Sequence, residues 1–375
     1  MTDEIVFEML RGKIVLITGA CGSVGSSVAR YLARAPLERL RLLDQHEEGM
    51  HRLSGELAGP NCRFFLGDVR SEQRIRSAAR DCDIIIHTAA LKHVALGEYN
   101  PGEVVLTNLL GLNAVIQAAV ENGVGRTAYT SSDKAVNPTS VMGASKLLGE
   151  RVIAAARDMR DDCRFCCTRF GNVLGSSGSV VRTFLEQISR GGPVTVTHPD
   201  MTRFVMTLNQ AARLILESCL LADGGEVFVL KMPALRIEDL AETMISQYAP
   251  YFGHDPRSVK RKVIGVRAGE KLYEELMTTD EAARARELDH QFVVDPITCT
   301  PDEPPRPQPA PHAQPRRFSA AHVSSEAALL SNDEIADLLR ESGVEEALPH
   351  YVRAGASRRR TMVPARSAGE PSLMA

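Results

Sequence analysis

Short apolar runs alternate with stretches of helical period from the start of the chain. Lys13–Thr18, Leu40–Asp44, Arg63–Leu66, Asp83–His87 and Thr127–Ser131 read as strands, and Arg164–Thr168 as a sixth. Between them Val24–Arg34, Ser71–Ala79, Glu103–Glu121 and Met142–Arg157 carry the apolar spacing of helices. Continuous apolar strands joined through helices belong in a parallel sheet covered on both faces. Such crossovers are right-handed, so the pattern predicts a doubly wound, Rossmann-type α/β fold.

Past residue 170 glycine and proline become dense at Gly171, Gly175, Gly178, Gly191, Gly192, Pro193 and Pro199. This predicts a smaller, loop-rich substrate portion (173–203 and 227–297) interleaved with a Rossmann domain (1–172, with 204–226 returning to it). Thr207–Leu221 reads as the returning helix, Val227–Leu230 as a strand and Arg261–Val266 as a short strand. Seven prolines between Pro301 and Pro315 forbid helix interiors and central strands, so 298–330 reads as a linker. Ser331–Ser342 has an N-cap serine, acids in the first turn and a stripe of Ile335, Leu338 and Leu339, which predicts one more helix within 331–347. The last segment, 348–375 with Arg358–Arg360, has the composition of a disordered basic tail.

Composition narrows the function. A net charge of -3 on 375 residues gives no sign of a nucleic-acid binder. With no tryptophan and 5% aromatics the core must be aliphatic. The eight cysteines have no zinc spacing, so they read as buried reduced thiols and no metal is expected. The first twelve residues are acidic and lack the pattern of a signal peptide. No apolar run approaches the ~18–20 residues of a membrane span, and the expected place is the cytoplasm.

Gly19-Ala-Cys-Gly22-Ser-Val-Gly25 follows a strand and opens a helix. Glycines there let backbone approach a pyrophosphate, and the helix N-terminus supplies free N–H groups and a positive dipole end. Asp44 closes the second strand, where an acid can accept hydrogen bonds from ribose hydroxyls and repel a 2′-phosphate. NAD is therefore expected ahead of NADP, with Arg41 and His46 able to move that balance. Asp68, at the end of the third strand, is either an adenine neighbour or a helix cap.

Further motifs carry a resemblance. Thr88-Ala-Ala-Leu-Lys92-His-Val, Ser131-Ser-Asp-Lys-Ala-Val-Asn-Pro138, Val141-Met-Gly-Ala-Ser-Lys146, Arg169-Phe-Gly-Asn172-Val-Leu-Gly-Ser-Ser-Gly178, Val194–Phe204 and Arg267-Ala-Gly-Glu270-Lys-Leu-Tyr-Glu-Glu stand in order. From Gly12 to Pro296 the chain resembles the UDP-N-acetylglucosamine 4,6-dehydratases of polysaccharide biosynthesis, in the extended short-chain dehydrogenase/reductase superfamily. The usual Tyr-x-x-x-Lys pair keeps its spacing, but Met142 stands at the tyrosine position, a form that resembles the larger, membrane-bound dehydratase subgroup, which retains C5.

The resemblance implies a lyase that oxidises sugar C4, eliminates the 6-hydroxyl after loss of the C5 proton and returns hydride to C6, on NAD (or NADP) that stays tightly bound and is recycled. It makes Asp133 the acid for the 6-hydroxyl, Lys134 the base at C5, Ser132 a hydrogen-bond partner of the 4-hydroxyl and Lys146 a ribose ligand. A basic Lys134 must be neutral, and burial beside Lys146 or the nicotinamide could lower its pKa. The cofactor set is Gly19, Gly22, Ser23, Val24, Gly25, Asp44, Asp68, Val69, Ala89, Ala90, Lys92, Asn108 and Lys146. The set for the UDP-sugar is Lys92, Asn172, Arg182, Thr202, Arg203, Arg267 and Glu270, arginines suiting pyrophosphate and a glutamate the ribose hydroxyls. A homo-oligomer formed through Rossmann-domain helices is implied as well. The alternatives are a UDP-sugar 4-epimerase, a 5,6-dehydratase and an NAD(P)-sensing regulator that has lost catalysis.

Overall fold

A computed structural model describes residues 1–297, 323–349 and 351. Fourteen strands lie among these residues: β1 Ile14–Thr18, β2 Arg39–Asp44, β3 Cys62–Leu66, β4 Ile84–His87, β5 Arg126–Thr130, β6 Arg164–Arg169, β7 Asn172–Val173, β8 Val194–Val196, β9 Thr202–Met206, β10 Val227–Leu230, β11 Ala234–Arg236, β12 Arg261–Val263, β13 Ala285–Glu287 and β14 Gln291–Val294. Nine of them form one sheet in the order β13-β14-β10-β6-β5-β4-β1-β2-β3. From β3 to β10 every pairing is parallel, and β14 and β13 add two antiparallel strands at the edge. The reason is local: β4 is buried along its whole length, so both faces need a covering helix. Strand order reverses between β1 and β4, and open sheets of this kind bind ligands at that switch point, beyond the carboxyl ends of the strands. The fold is the expected Rossmann-type doubly wound sheet.

Among the described residues there are two apolar cores. The larger surrounds the sheet; the smaller joins Val181, Phe184, Leu185 and Ile188 of the helix Val180–Ser189 to Leu240 and Met244 of the helix Ile237–Tyr248. Ile335, Leu338 and Leu339 of the helix Asn332–Glu341 complete that second core, under a Ser331 capping box closed by Glu334. The small sheets β11-β9-β7 and β12-β8 lie beside it.

Three expectations change. Residues 227–230, 285–287 and 291–294, expected in the interleaved substrate portion, pair into the large sheet, because β10 offers a fully apolar surface to β6 and β14. Glu103–Glu121 is part of a longer helical run, Pro101–Asn122, interrupted by a π-helical turn at Leu106–Leu110. By length and composition that run could cross a membrane, so the expectation that no such stretch exists was too strict. Its inner half, with Leu112, Val115, Ile116 and Ala119, is packed in the main core as in any buried helix. The linker and the basic tail fall mostly outside the described residues. Of the linker, 323–330 is described and is pinned by bridges from Val323 to Glu275 and from Leu329 to Ala234.

Candidate functional site

The glycine-rich turn packs too closely against its own backbone to carry side chains. Gly19 has φ +71°, and a Cβ there would stand 2.5 Å from the Ala89 nitrogen. One at Gly25 would stand 2.2 Å from the Gly19 carbonyl oxygen. The helix Ser23–Leu32 starts at Gly22 without a side-chain cap, so its first N–H groups face outward. Beside it a cavity of 160 Å³ is lined by Gly19, Gly22, Asp44, Asp68, Val69, Ala89, Ala90 and Thr107.

Asp44 is set by two backbone donors, Cys21 N–H at 2.9 Å and His46 N–H at 3.0 Å. Arg41 points away, donating to the Ala78 carbonyl at 2.8 Å, and His46 caps the helix Glu47–Glu56, so neither faces the cavity as a 2′-phosphate ligand would. Asp68 is held by Arg70, whose hydrogen bonds keep its carboxyl below the usual range. These residues could hold an adenosine ribose and a pyrophosphate: the Asp44 carboxylate lines the cavity, and the uncapped helix start supplies N–H donors.

A second cavity, of 260 Å³, continues past Val24 to the carboxyl ends of β5 and β6. Ser132, Lys134, Met142, Lys146 and Asn172 line it, with Lys92 at its rim. Lys92 donates to the Ser177 carbonyl at 2.7 Å, and Ser177 N–H donates to Ser23 Oγ at 2.9 Å, so the 175–179 loop bridges both sides of the mouth. Burial and the neighbouring Arg182 charge hold Lys92 below its ordinary pKa.

At the floor, a turn at Asp133–Ala135 follows β5. Asp133 is fully buried; its Oδ1 accepts from Ser132 Oγ at 2.9 Å and from Lys134 Nζ at 2.9 Å. Lys134 also reaches Asn172 Oδ1 at 3.4 Å. One turn of the helix Val141–Ala156 separates Met142 from Lys146, so both face this cavity. Lys146 Nζ donates to the Thr130 carbonyl at 2.7 Å and lies over the Tyr129 ring. Burial pushes its pKa down to about 8. His87, behind it, is held neutral at about 3 by burial and by the Lys146 charge.

The expected lowering of the Lys134 pKa is overturned. Burial does act downward, but Asp133 and Glu274, at 2.9 and 3.3 Å, outweigh it, and the ammonium is stabilised above its ordinary value.

Other residues fall outside both cavities. Asn108 is spent on the Leu91 backbone and on Ser145 Oγ, holding the loop after β4. Thr202 meets Ser324 Oγ at 2.8 Å. Arg203 donates to the carbonyls of Thr202, Lys271 and Leu272, which makes it a brace rather than a free pyrophosphate ligand. Arg182 is exposed and donates to the Gly175 carbonyl. The Arg267 N–H bonds Glu270 within a loop away from the cavities.

Sequence reasoning missed Glu274, although it is the next-to-last residue of a motif singled out there, and also Glu150 and Arg169. Ser131 Oγ donates to Glu150 Oε1 at 2.5 Å, and Arg169 joins Glu150 to Glu281 at 2.6 and 2.9 Å. Their only signal is charge at positions whose period demands burial. Among the described residues no group of His, Cys, Asp or Glu could hold a metal ion.

Residues 15–296 match the family described as "Polysaccharide biosynthesis protein". A relative from Methanocaldococcus jannaschii, called an uncharacterized membrane protein, is 46% identical over 293 residues, 78% of this chain and 88% of that one. A Campylobacter jejuni relative named UDP-N-acetylglucosamine 4,6-dehydratase (inverting) is 37% identical over 292 residues, 77% of this chain and 84% of that one. One from Rickettsia bellii named UDP-glucose 4-epimerase is 38% identical, over 76% of this chain and 83% of that one. The crystal structure of Pen from Bacillus thuringiensis, 36% identical, covers 88% of this chain and 98% of that one with a TM-score of 0.81. The match spans the segment in which the motifs lie, and the chain belongs to the polysaccharide biosynthesis protein family.

Proposed function

We propose that this protein is a nucleotide-sugar 4,6-dehydratase that turns UDP-N-acetylglucosamine into a UDP-4-keto-6-deoxy-hexosamine. The observation that carries the reading is that Ser132 and Lys134 line the same cavity as Lys146 and both hydrogen-bond the buried carboxylate of Asp133 behind them. An acid and a base one contact apart suit elimination across adjacent carbons.

The glycine turn, Asp44 and Lys146 would hold a dinucleotide, NAD ahead of NADP because of the Asp44 carboxylate. When bound, its nicotinamide supplies a hydride acceptor and donor. Lys134 rests as an ammonium against the Asp133 carboxylate. Passing that one proton across their 2.9 Å contact leaves a neutral amine at Lys134 and a carboxylic acid at Asp133. The amine then takes the C5 proton, the C5–H electron pair becomes the C5=C6 bond, and the C6–O bond breaks as Asp133 protonates the departing oxygen. Water leaves, and the pair returns to ammonium and carboxylate. The raised Lys134 pKa is thus compatible with a basic role.

A 4-epimerase is the second reading, favoured by the name of the Rickettsia relative. It has no use for an acid and base at C5 and C6. Mass analysis after incubation with UDP-N-acetylglucosamine separates the two: loss of one water supports dehydration, an unchanged mass in a converted product supports epimerisation.

A homo-oligomer is proposed as well. Leu110, 55% exposed, and Leu148, 53% exposed, stand with Val105, Leu106 and Val152 on neighbouring helices, an apolar surface that a second copy would cover.

A further inference from the structure

We infer that Glu274 is a positioning residue for Lys134: its buried carboxylate, seated by Ser324, holds the lysine's proton beside Asp133 until the elimination moves it. The inference rests on the dehydratase reading for its chemistry and on geometry alone for its electrostatics.

Glu274 is 2% exposed, with Oε1 3.3 Å from Lys134 Nζ and 3.8 Å from Arg203 Nε. Among the described residues Asp133 Oδ2 and Glu274 Oε2 are buried without a hydrogen-bond partner, and the Lys134 ammonium is the cation that both carboxylates meet. A buried carboxylate without a cation is costly. The lysine cannot surrender its proton to solvent cheaply, because that would leave Asp133 and Glu274 facing each other with Arg203 and Lys271 as the remaining cations acting on Glu274. Passing the proton to Asp133 keeps it inside the cluster. Glu274 therefore favours the internal transfer over outright loss.

The seat of Glu274 comes from beyond the proline-rich stretch. Its N–H donates to Ser324 Oγ at 2.9 Å, and that hydroxyl also meets Thr202 Oγ1 at 2.8 Å. Ser324 is fully buried and lies outside the family-matched residues 15–296. Segment 323–330 is thus tied to the candidate site through one serine.

The groups facing Lys134 and Glu274 are Asp133 from the same turn, Arg203 from β9 and Lys271 from the segment that carries Glu274, with neutral Asn172 from β7. Removing the Glu274 charge leaves Asp133 as the one carboxylate against Lys134 and so lowers the lysine's pKa. An opposite charge at this range is worth about 1 pH unit or more.

The test measures acylation of Lys134 by a small anhydride against pH in the full-length protein, read by peptide mass, alongside exchange of the C5 hydrogen of UDP-N-acetylglucosamine with deuterium. Glu274→Gln is expected to move the Lys134 midpoint down by about 1 pH unit or more. Ser324→Ala, which keeps every charge, should move it the same way by less. An unshifted midpoint in folded Glu274→Gln overturns the inference, and if that variant does not fold, an unshifted midpoint in Ser324→Ala does so. A shifted midpoint with no C5 exchange in the unaltered protein would sustain the placement of Glu274 while refuting the dehydratase reading.

Discussion

Among the single residues of the candidate site, the position of one proton decides the proposed chemistry. Asp133 and Glu274 hold it on Lys134 at rest, and the proposed reaction needs it on Asp133. Lys134→Ala should therefore abolish C5 exchange with deuterium while the protein still binds NAD. Full exchange in that variant would remove Lys134 from the role of base. Met142 bears on stereochemistry. It is buried on the cavity wall at the tyrosine position, and a thioether has no proton to give. On the proposed mechanism the C5 proton returns from the face where Lys134 removed it, and a product that keeps the gluco configuration is expected. Proton NMR of fresh product decides this, an initially inverted ketone counting against it. The C. jejuni relative is named inverting, so the outcome either sets this chain apart from it or joins the two.

Among the elements, the helix Val141–Ala156 and strand β6 meet through a buried charge chain of Glu150, Arg169 and Glu281. Burial would raise the Glu281 carboxyl, but the hydrogen bonds and charge of Arg169 win and hold it at about 2. A depressed carboxyl contributes stability that is present above the unfolded value, about 4.3, and is lost as pH falls through the folded one. Between about pH 4 and pH 2 the protein should lose this contribution. Arg169→Met, which leaves two carboxylates buried without their cation, should cost about 3–5 kcal/mol in denaturant unfolding at neutral pH. A loss under about 1 kcal/mol would contradict the buried network.

These elements also show what the sequence made legible. Period and glycine placement located β1, β2, β4, the helix after Gly22 and the Ser331 cap, because each rests on local chemistry. The helices Asp3–Leu10, Glu47–Glu56, Val94–Tyr99 and Val180–Ser189 went unread. Glu47–Glu56 has a polar face too broad to stand out, and Val94–Tyr99 is too short to show a period. Asn108, Thr202 and Arg203 lie outside both cavities and are bonded to backbone or to a distant serine, which the sequence could not show because these partners are tertiary: a motif says which residues recur together and not which backbone each one is spent on. Glu274 stayed hidden for the same reason.

For the whole molecule, the parallel sheet brings two cavities side by side at the switch point, one beside the glycine-rich turn and Asp44 and one lined by Ser132, Lys134 and Lys146. The exposed apolar face of Leu110 and Leu148 lies on helices behind that site. Leu148→Asp should shift the protein toward monomer in light scattering, whereas an unchanged mass would place any self-association elsewhere. The measurement that tests the central claim most directly is the mass of the product formed from UDP-N-acetylglucosamine in deuterium oxide, read after return to ordinary water. The account expects a product one water lighter that carries solvent deuterium at C5; a product of unchanged formula, or no turnover by protein with NAD bound, would contradict it.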